Sequence, residues 1–158
     1  MYEFTIEKIL TTDKVTSKIF LGAFAKNEVP TEFKFPACFI VNTHARNKPG
    51  QHWLAFYYDS KGTCYFFDSY GRSPDYYNFK TYIERTAKKC FFSDNRIQGH
   101  SYFCGYYCVF YLLFKARNQE KIFFSKFTKN LNKNDKYIAT NIKLLNQWNF
   151  QKDLTEIE

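Results

Sequence analysis

A glutamine and a cysteine stand six residues apart in a pattern that can activate a thiol. Gln98 precedes Cys104, and Cys104-Gly105 opens an apolar run of helical length. A helix N-terminus lowers the pKa of a thiol placed there, and the thiolate is the nucleophilic form. A nearby side-chain amide can donate to the oxyanion that forms when a thiolate attacks a carbonyl. The segment predicts either a nucleophilic cysteine or a core cysteine that begins a buried helix.

Two residues further upstream can serve a nucleophilic cysteine as its base and as the partner of that base. Residues 52–58 and 63–68 read as two strands joined by a hairpin loop. In such a hairpin the first residue of one strand lies near the last residue of the next, which places His52 beside Asp68 on one face. His52 can then act as general base and acid while Asp68 holds its other ring nitrogen. The alternatives are a polar strand-edge histidine and an aspartate that caps the following turn.

Three other positions are candidates for the same site. Gln98 is either an oxyanion donor or an ordinary loop glutamine. Trp53, next to the histidine, either walls a substrate cleft or fills the core. Gly105 is unfavourable at a helix start unless the backbone must approach another group closely, such as a substrate carbonyl. His44 and His100 read as ordinary polar residues.

A metal site is the competing interpretation of the cysteines in this segment. Cys104 and Cys108 have the i, i+4 spacing of one helix face. Two soft ligands are too few for a structural site, and no histidine pair with ligand spacing lies near them. We therefore expect no metal.

The remaining elements are read from apolar periodicity and turn residues. We expect helices first, then at least three strands, then helices again, which indicates the α+β class. The expected elements are one or two helices over residues 3–19, a surface loop from 20 onwards, a buried strand at 37–43, a turn at 47–50, the hairpin, a helix at 73–88, a strand at 90–97, a buried helix at 103–117 and amphipathic helices at 119–131 and 136–149.

The composition predicts one globular domain in a reducing compartment. The chain has 158 residues and no obvious linker, so we expect a single domain over residues 1–158. Its 45% hydrophobic and 22% aromatic content excludes a disordered chain. No apolar run is long enough for a membrane span, and the first residues lack the apolar core of a signal peptide. Five cysteines without a C-x-x-C pair indicate that the protein is not secreted.

The net charge of +8 leaves three interpretations open. The basic residues are scattered, which is typical of a solvated surface. They also suit a nucleic-acid partner or an acidic protein partner.

Several stretches between about residue 20 and residue 114 match one viral family in order and spacing. The stretches are residues 20–22, 39–43, 52–56, 63–68, Gly71, 98–99, 104–105 and Cys108. On these stretches the sequence resembles the adenovirus maturation protease (adenain) family and its relatives in virophages and Maverick/Polinton elements. The SUMO-type proteases share the same skeleton more distantly.

The resemblance implies a permuted papain-like fold, with a small mixed or antiparallel sheet flanked by helices and a buried helix that starts at the nucleophile. It implies a cysteine endopeptidase that forms a thioester acyl-enzyme and cleaves capsid or other virion precursors at Gly-containing sites. Cys104 would be the nucleophile, His52 the base and acid, Asp68 the residue that orients it, and Gln98 part of the oxyanion hole. Trp53 and Gly105 would lie in the substrate cleft.

The resemblance also implies partners and a location. Family members are stimulated by DNA and by a viral peptide that is disulfide-linked to a cysteine, and Cys90 lies in roughly the matching region. A monomer in the virion and in the cytoplasm or nucleus of the host cell is expected. The interval from Gln98 to Cys104 follows the SUMO-protease pattern, so an isopeptidase for ubiquitin-like proteins is the first alternative. A non-catalytic DNA-binding packaging protein is the second.

Overall fold

A five-stranded mixed sheet forms the centre of the fold. The computed structural model describes residues 3–47 and 52–158. The strands follow chain order across the sheet. The central three pair antiparallel, whereas each edge strand pairs parallel with its neighbour. The strands are β1 (Phe20–Phe24), β2 (Ala37–Asn42), β3 (Trp53–Tyr58), β4 (Thr63–Phe67) and β5 (Lys89–Phe92).

In the described part of the chain, five α-helices flank this sheet, so the α+β class is confirmed. They are α1 (Glu3–Thr12), α2 (Lys80–Thr86), α3 (Cys104–Lys115), α4 (Glu120–Ser125) and α5 (Leu131–Asn146). One sheet face packs with α1, α3, α4 and α5 around the larger core cluster. The other face packs against a short turn of 3₁₀ helix and α2. Both faces are therefore covered, which explains why every residue of β2 is buried.

Helix α3 is the element that the sequence predicts most directly. It is apolar almost all round, and ten of its twelve residues are buried. A helix with this composition is stable only in the middle of a fold. Here it packs against β3, which brings its first residue, Cys104, towards the start of that strand. The prediction of a buried helix at residues 103–117 is confirmed.

Two predictions for the first half of the chain need correction or lie outside the description. Residues 20–24, predicted as a surface loop, form the edge strand β1. Only Ala23 of this strand is buried, and an irregularity interrupts its pairing with β2, so the sequence has no strand periodicity there. The turn predicted at residues 47–50 falls mostly on residues 48–51, outside the described part of the chain.

The helix predicted over residues 73–88 is interrupted. Pro74–Tyr77 forms a turn of 3₁₀ helix, and Asn78 then adopts a left-handed conformation with φ of 64°. Asparagine tolerates this conformation better than most residues, and it ends the first turn before α2 begins. The break allows Phe79 to enter the core beneath the sheet.

Strand β5 and helix α4 are shorter than predicted, whereas helix α5 starts earlier and is longer. Strand β5 ends at Phe92, and α4 ends at Ser125. Helix α5 begins at Leu131, five residues before its predicted start, because the Asn130 side chain accepts a hydrogen bond from the Lys133 N–H as an N-cap.

A buried aspartate joins the first helix to the segment after α3 and to the segment after α5. Asp13 is fully buried just after α1, and its carboxylate binds the Arg117 guanidinium at 2.7 Å and the Trp148 indole N–H at 2.8 Å. Asp13 is therefore a tertiary anchor as well as the residue that follows α1. In residues 3–47 and 52–158, no helix is long and apolar enough to cross a membrane.

Candidate functional site

The β3–β4 hairpin brings a histidine and an aspartate together. His52 directly precedes β3 and Asp68 directly follows β4, and the antiparallel register pairs Ala55 with Phe67. Both side chains are buried, and Nε2 of His52 lies 2.6 Å from Oδ1 of Asp68. The contact expected from hairpin geometry is present in the structure.

Further donors hold the Asp68 carboxylate in place. The Tyr77 hydroxyl donates to Oδ2 at 2.7 Å, and the backbone N–H groups of Tyr70 and Arg72 donate at 3.0 and 3.1 Å. Burial alone raises the pKa of Asp68, but the hydrogen bond and charge of His52, with these donors, lower it below its ordinary value. Asp68 is therefore an oriented, charged carboxylate at neutral pH.

Cys104, the first residue of α3, interacts with the same imidazole. Burial raises the pKa of the Cys104 thiol, but the hydrogen bond and charge of His52 and the Trp53 backbone N–H lower it below its ordinary value. Burial lowers the pKa of His52, but Asp68 and Cys104 together raise it to about 9. Each group thus favours the charged form of the other, which is the condition for a thiolate–imidazolium pair.

The alignment of this pair is looser than that of His52 with Asp68. Because Nε2 faces Asp68, Nδ1 is the ring nitrogen left for Cys104. Within the described residues, Nδ1 is buried without a hydrogen-bond partner of normal geometry. Among the described residues, the Cys104 thiol and the His52 ring therefore form no hydrogen bond of normal geometry. Such loosening is common in unliganded enzymes and tightens when a substrate binds.

Gln98 is fully buried, and its side-chain amide has a fixed orientation. Its Oε1 accepts from the Ser69 hydroxyl at 2.5 Å, and its Nε2 donates to the Ser101 carbonyl at 2.8 Å. The backbone N–H of Gln98 also donates to the Ser69 carbonyl at 3.0 Å. One N–H of Nε2 remains for a further acceptor. The orientation of the amide is therefore fixed, and its role as an oxyanion donor stays a prediction.

The remaining candidates, Trp53, Gly105 and Cys90, lie in two parts of the fold. Trp53 is half-buried and packs against the α3 side of the core, and its carbonyl accepts from the Cys108 thiol at 3.3 Å. Gly105 is buried as the second residue of α3. Their roles in a cleft stay predictions. Cys90 lies on β5, where it pairs in register with Cys64 and is half-buried.

Ser69 and Tyr70 are site residues that the sequence analysis missed. Ser69 fixes the Gln98 amide, and the Tyr70 ring stacks on the His52 imidazole with ring centres 4.5 Å apart. Both follow the predicted aspartate directly, where they read as turn residues. Their position next to Asp68 was the available signal, but the partner of Ser69 is 29 positions away in the sequence.

Gly71 allows the loop after Asp68 to touch the segment that carries Gln98. Its φ is 72°, and a Cβ there would lie 2.6 Å from the backbone nitrogen of Arg96 and from the carbonyl carbon of Asn95. Backbone atoms cannot move aside as a flexible side chain can. The close approach therefore requires glycine.

We expect Gly71→Ala to lower the free energy of unfolding by about 2–4 kcal/mol, because the left-handed φ is combined with a backbone clash. Urea denaturation measures the change. Gly62→Ala is the matched control: its φ is also positive, at 82°, but its Cβ would meet only the Phe35 ring, at 3.0 Å. This control should lose about 1–2 kcal/mol. Equal losses would contradict the backbone clash.

Metal ligands do not cluster in this region. Among residues 3–47 and 52–158, no group of three or more histidine, cysteine, aspartate or glutamate side chains is placed to hold a metal ion. All five cysteines are free thiols.

Two solved structures share the fold. An ASFV protease superposes with a TM-score of 0.53 over 97% of this chain and 68% of its own, at 18% identity. The central domain of an uncharacterized protein from Legionella pneumophila superposes with a TM-score of 0.56 over 93% of this chain and 96% of its own, at 13% identity. Identities this low show the fold alone.

The sequence comparisons carry more information. The proteases of porcine adenovirus A serotype 3 and human adenovirus B serotype 3 are 35% and 31% identical over 122 and 128 residues. These matches cover 62% and 66% of this chain but only 56% and 58% of the relatives, so the chain spans less than three fifths of their length. The family model described as adenovirus endoprotease matches residues 20–147, which include every residue of the site above. The chain therefore belongs to the adenovirus endoprotease family.

Proposed function

We propose that the protein is a viral cysteine endopeptidase that cleaves virion precursor proteins, such as a capsid protein, at Gly-containing sites. The observation that carries the proposal is the 2.6 Å contact of His52 with Asp68, beside a thiol at the start of α3 whose pKa the same imidazole lowers. Membership in the adenovirus endoprotease family supports peptide bonds as the target. Residues 1–158 are proposed to form one protease domain.

In the first half of the reaction the Cys104 thiolate attacks the scissile carbonyl carbon and forms a C–S bond. The carbonyl oxygen becomes an oxyanion, which accepts hydrogen bonds from the free side-chain N–H of Gln98 and from the backbone N–H of Cys104. The His52 imidazolium then gives its Nδ1 proton to the leaving amine as the C–N bond breaks. The product is a thioester on Cys104 and a free amine.

In the second half neutral His52 takes a proton from water, which attacks the thioester carbonyl. The C–S bond breaks, the acid product leaves, and the thiolate is restored beside a protonated imidazole. Asp68 stays charged throughout and keeps Nε2 of His52 in place, so that Nδ1 alone exchanges protons.

Replacement of Gln98 by alanine tests the proposed oxyanion donor. We expect kcat of the folded protein to fall by about 10²–10³-fold, with a smaller change in KM, because the lost donor acts on charge that develops in the transition state. Gln151→Ala, at an exposed position, is the control. A Gln98→Ala protein that folds and keeps its kcat would remove Gln98 from the oxyanion hole.

The other implications of the family are proposals of the same kind. We propose the virion and the infected cell as its location, and a monomer as its state. DNA is proposed as an activator because the net charge of +8 suits phosphate contacts. For an activating peptide, Cys90 is the proposed anchor: it is half-buried, and hydrogen bonding to Cys64 lowers its pKa in spite of burial.

The proposed activity is tested with a library of extended peptides prepared from a denatured proteome. The wild-type protein and Cys104→Ala are incubated with it under reducing conditions, and new peptide ends are sequenced by mass spectrometry. We expect new ends at Gly-containing sites with the wild type alone. No new ends with the wild type, or the same ends with Cys104→Ala, would overturn the proposal.

A further inference from the structure

Two arginines and two tyrosines form a cluster beside the His52 imidazole. We call Tyr70, Arg72, Tyr76 and Arg96 the arginine–tyrosine cluster. The Tyr70 ring stacks on His52, and it also lies under both guanidinium groups, 5.3 Å from that of Arg72 and 4.9 Å from that of Arg96. The cluster therefore adjoins the proposed base directly.

Contacts with the protein hold both guanidinium groups in place. Arg96 donates from Nε to the Gln98 carbonyl at 2.7 Å and from Nη2 to the Gly99 carbonyl at 3.3 Å. The Arg72 guanidinium lies over the Tyr76 ring at 4.5 Å and over the Tyr70 ring at 5.3 Å. Because the two guanidinium groups are held in place before a ligand binds, binding costs less conformational entropy.

The positive charge of the cluster is not neutralised within the protein. Across residues 3–47 and 52–158, neither Arg72 nor Arg96 forms an ion pair with a carboxylate. Asp68 is the carboxylate that acts on Arg72, but it is buried and already bound by His52 and Tyr77. Both arginines are exposed, and the free N–H groups of a guanidinium suit a carboxylate.

The position of the cluster indicates which part of a substrate would reach it. The imidazole gives its proton to the leaving amine, so the C-terminal half of a substrate departs past the His52 ring. The Tyr70 ring centre is 4.5 Å from that of His52, and the Arg96 guanidinium lies 4.9 Å from Tyr70. An extended peptide advances about 3.3 Å per residue, so the cluster lies within about three residues of the scissile bond.

We propose that the arginine–tyrosine cluster binds the carboxylate of an aspartate or glutamate within the first three substrate residues after the scissile bond. The proposal rests on the proposed endopeptidase function and adds a preference for acidic substrates on the leaving side. Peptide is favoured over DNA as the ligand because duplex binding draws on many phosphate contacts along a surface, whereas this cluster sits at the reacting centre.

Pairs of extended peptides with a central Gly-Gly test the preference. The two members of a pair carry Asp or Asn at one of the four positions after the second glycine, and kcat/KM is measured for each. In the wild type at low salt we expect about a fivefold preference for Asp at one of the first three positions, decreasing at high salt. The double variant Arg72→Gln/Arg96→Gln should lose the preference. Because the preference is the ratio of kcat/KM for the Asp and Asn peptides with the same protein, any effect of the substitutions on the chemical step cancels.

Arg85→Gln is the matched control, since it removes an exposed arginine of α2 and should keep the wild-type ratio. An equal Asp preference in the double variant, or none in the wild type, overturns the proposal. The proposal is also overturned if binding of a short DNA duplex requires Arg72 and Arg96 while the peptides show no Asp preference.

A binding measurement separates failure of the subsite from failure of the endopeptidase. If the wild type cleaves no peptide, fluorescence polarisation with labelled Asp and Asn peptides is measured on Cys104→Ala and on Cys104→Ala/Arg72→Gln/Arg96→Gln. Tighter binding of the Asp peptide that depends on the two arginines supports the subsite alone. Equal binding of the two peptides overturns it.

Discussion

Replacing Cys104 by serine is expected to lower kcat for peptide hydrolysis by about 10⁴-fold or more while the protein stays folded. Burial raises the pKa of the Cys104 thiol, but His52 and the Trp53 backbone N–H lower it below its ordinary value, so the site favours the thiolate. A serine hydroxyl has a far higher pKa, so the same environment leaves it protonated. Serine is also small enough for the buried position. Single-turnover kinetics on peptides from the library measure the loss, and thermal unfolding checks the fold.

Cys108→Ser is the matched control for this substitution. Cys108 lies one turn further along α3, is fully buried, and donates to the Trp53 carbonyl, a bond that a hydroxyl can also make. We expect it to keep most of the activity. If Cys108→Ser lost hydrolysis and Cys104→Ser kept it, Cys104 would not be the nucleophile.

The largest effect on stability is expected for Asp13→Ala, a loss of about 3–5 kcal/mol in the free energy of unfolding. The carboxylate is fully buried and accepts from Arg117, from Trp148 and from the Thr16 backbone N–H. Alanine would leave a largely buried guanidinium and a buried indole N–H without their partner. The substitution should also loosen the end of the chain from α1. Urea denaturation of the two proteins measures the loss.

The stabilisation by Asp13 should depend on pH in a defined direction. Burial raises the pKa of Asp13, but the hydrogen bonds and charge of Arg117, with those of Thr16 and Trp148, lower it overall. A carboxyl whose pKa is lower in the folded protein contributes fully above its unfolded pKa, about 3.9. The contribution is lost as the pH falls through the folded value. The difference between wild type and Asp13→Ala should therefore shrink in acid.

Asp153→Ala provides the comparison for Asp13→Ala. Asp153 is exposed, and its side chain makes no capping hydrogen bond to the turn that follows it. We expect a change below about 0.5 kcal/mol. An Asp13→Ala loss of the same size, or one that does not vary with acid, would show that the buried ion pair contributes little.

The sequence predicts the parts of this fold whose signals are local. The buried helix follows from a continuous apolar run, and the neighbourhood of His52 and Asp68 follows from two strands and a short loop between them. Edge strand β1 was missed because only Ala23 in it is buried, and the break before α2 because Asn78 gave no strong stop signal.

The remaining parts of the site depend on distant contacts. Ser69 meets Gln98 across 29 positions, and Asp13 meets Trp148 across 135. Each of these residues has an ordinary local interpretation as a turn or cap. Only the packing of β4, β5 and the helices decides that they are buried and bonded to each other. Tyr70 likewise becomes a site residue only when the hairpin places its ring on His52.

The central claim is that His52 holds Cys104 as a reactive thiolate. The most direct test is the pH dependence of Cys104 alkylation by iodoacetamide, followed by mass spectrometry of the Cys104 peptide in the wild type and in His52→Ala. We predict that wild-type Cys104 reacts well below the ordinary thiol pKa of about 8.5, and that His52→Ala shifts the profile to higher pH. A wild-type profile centred on the ordinary thiol pKa and unchanged in His52→Ala would contradict the claim.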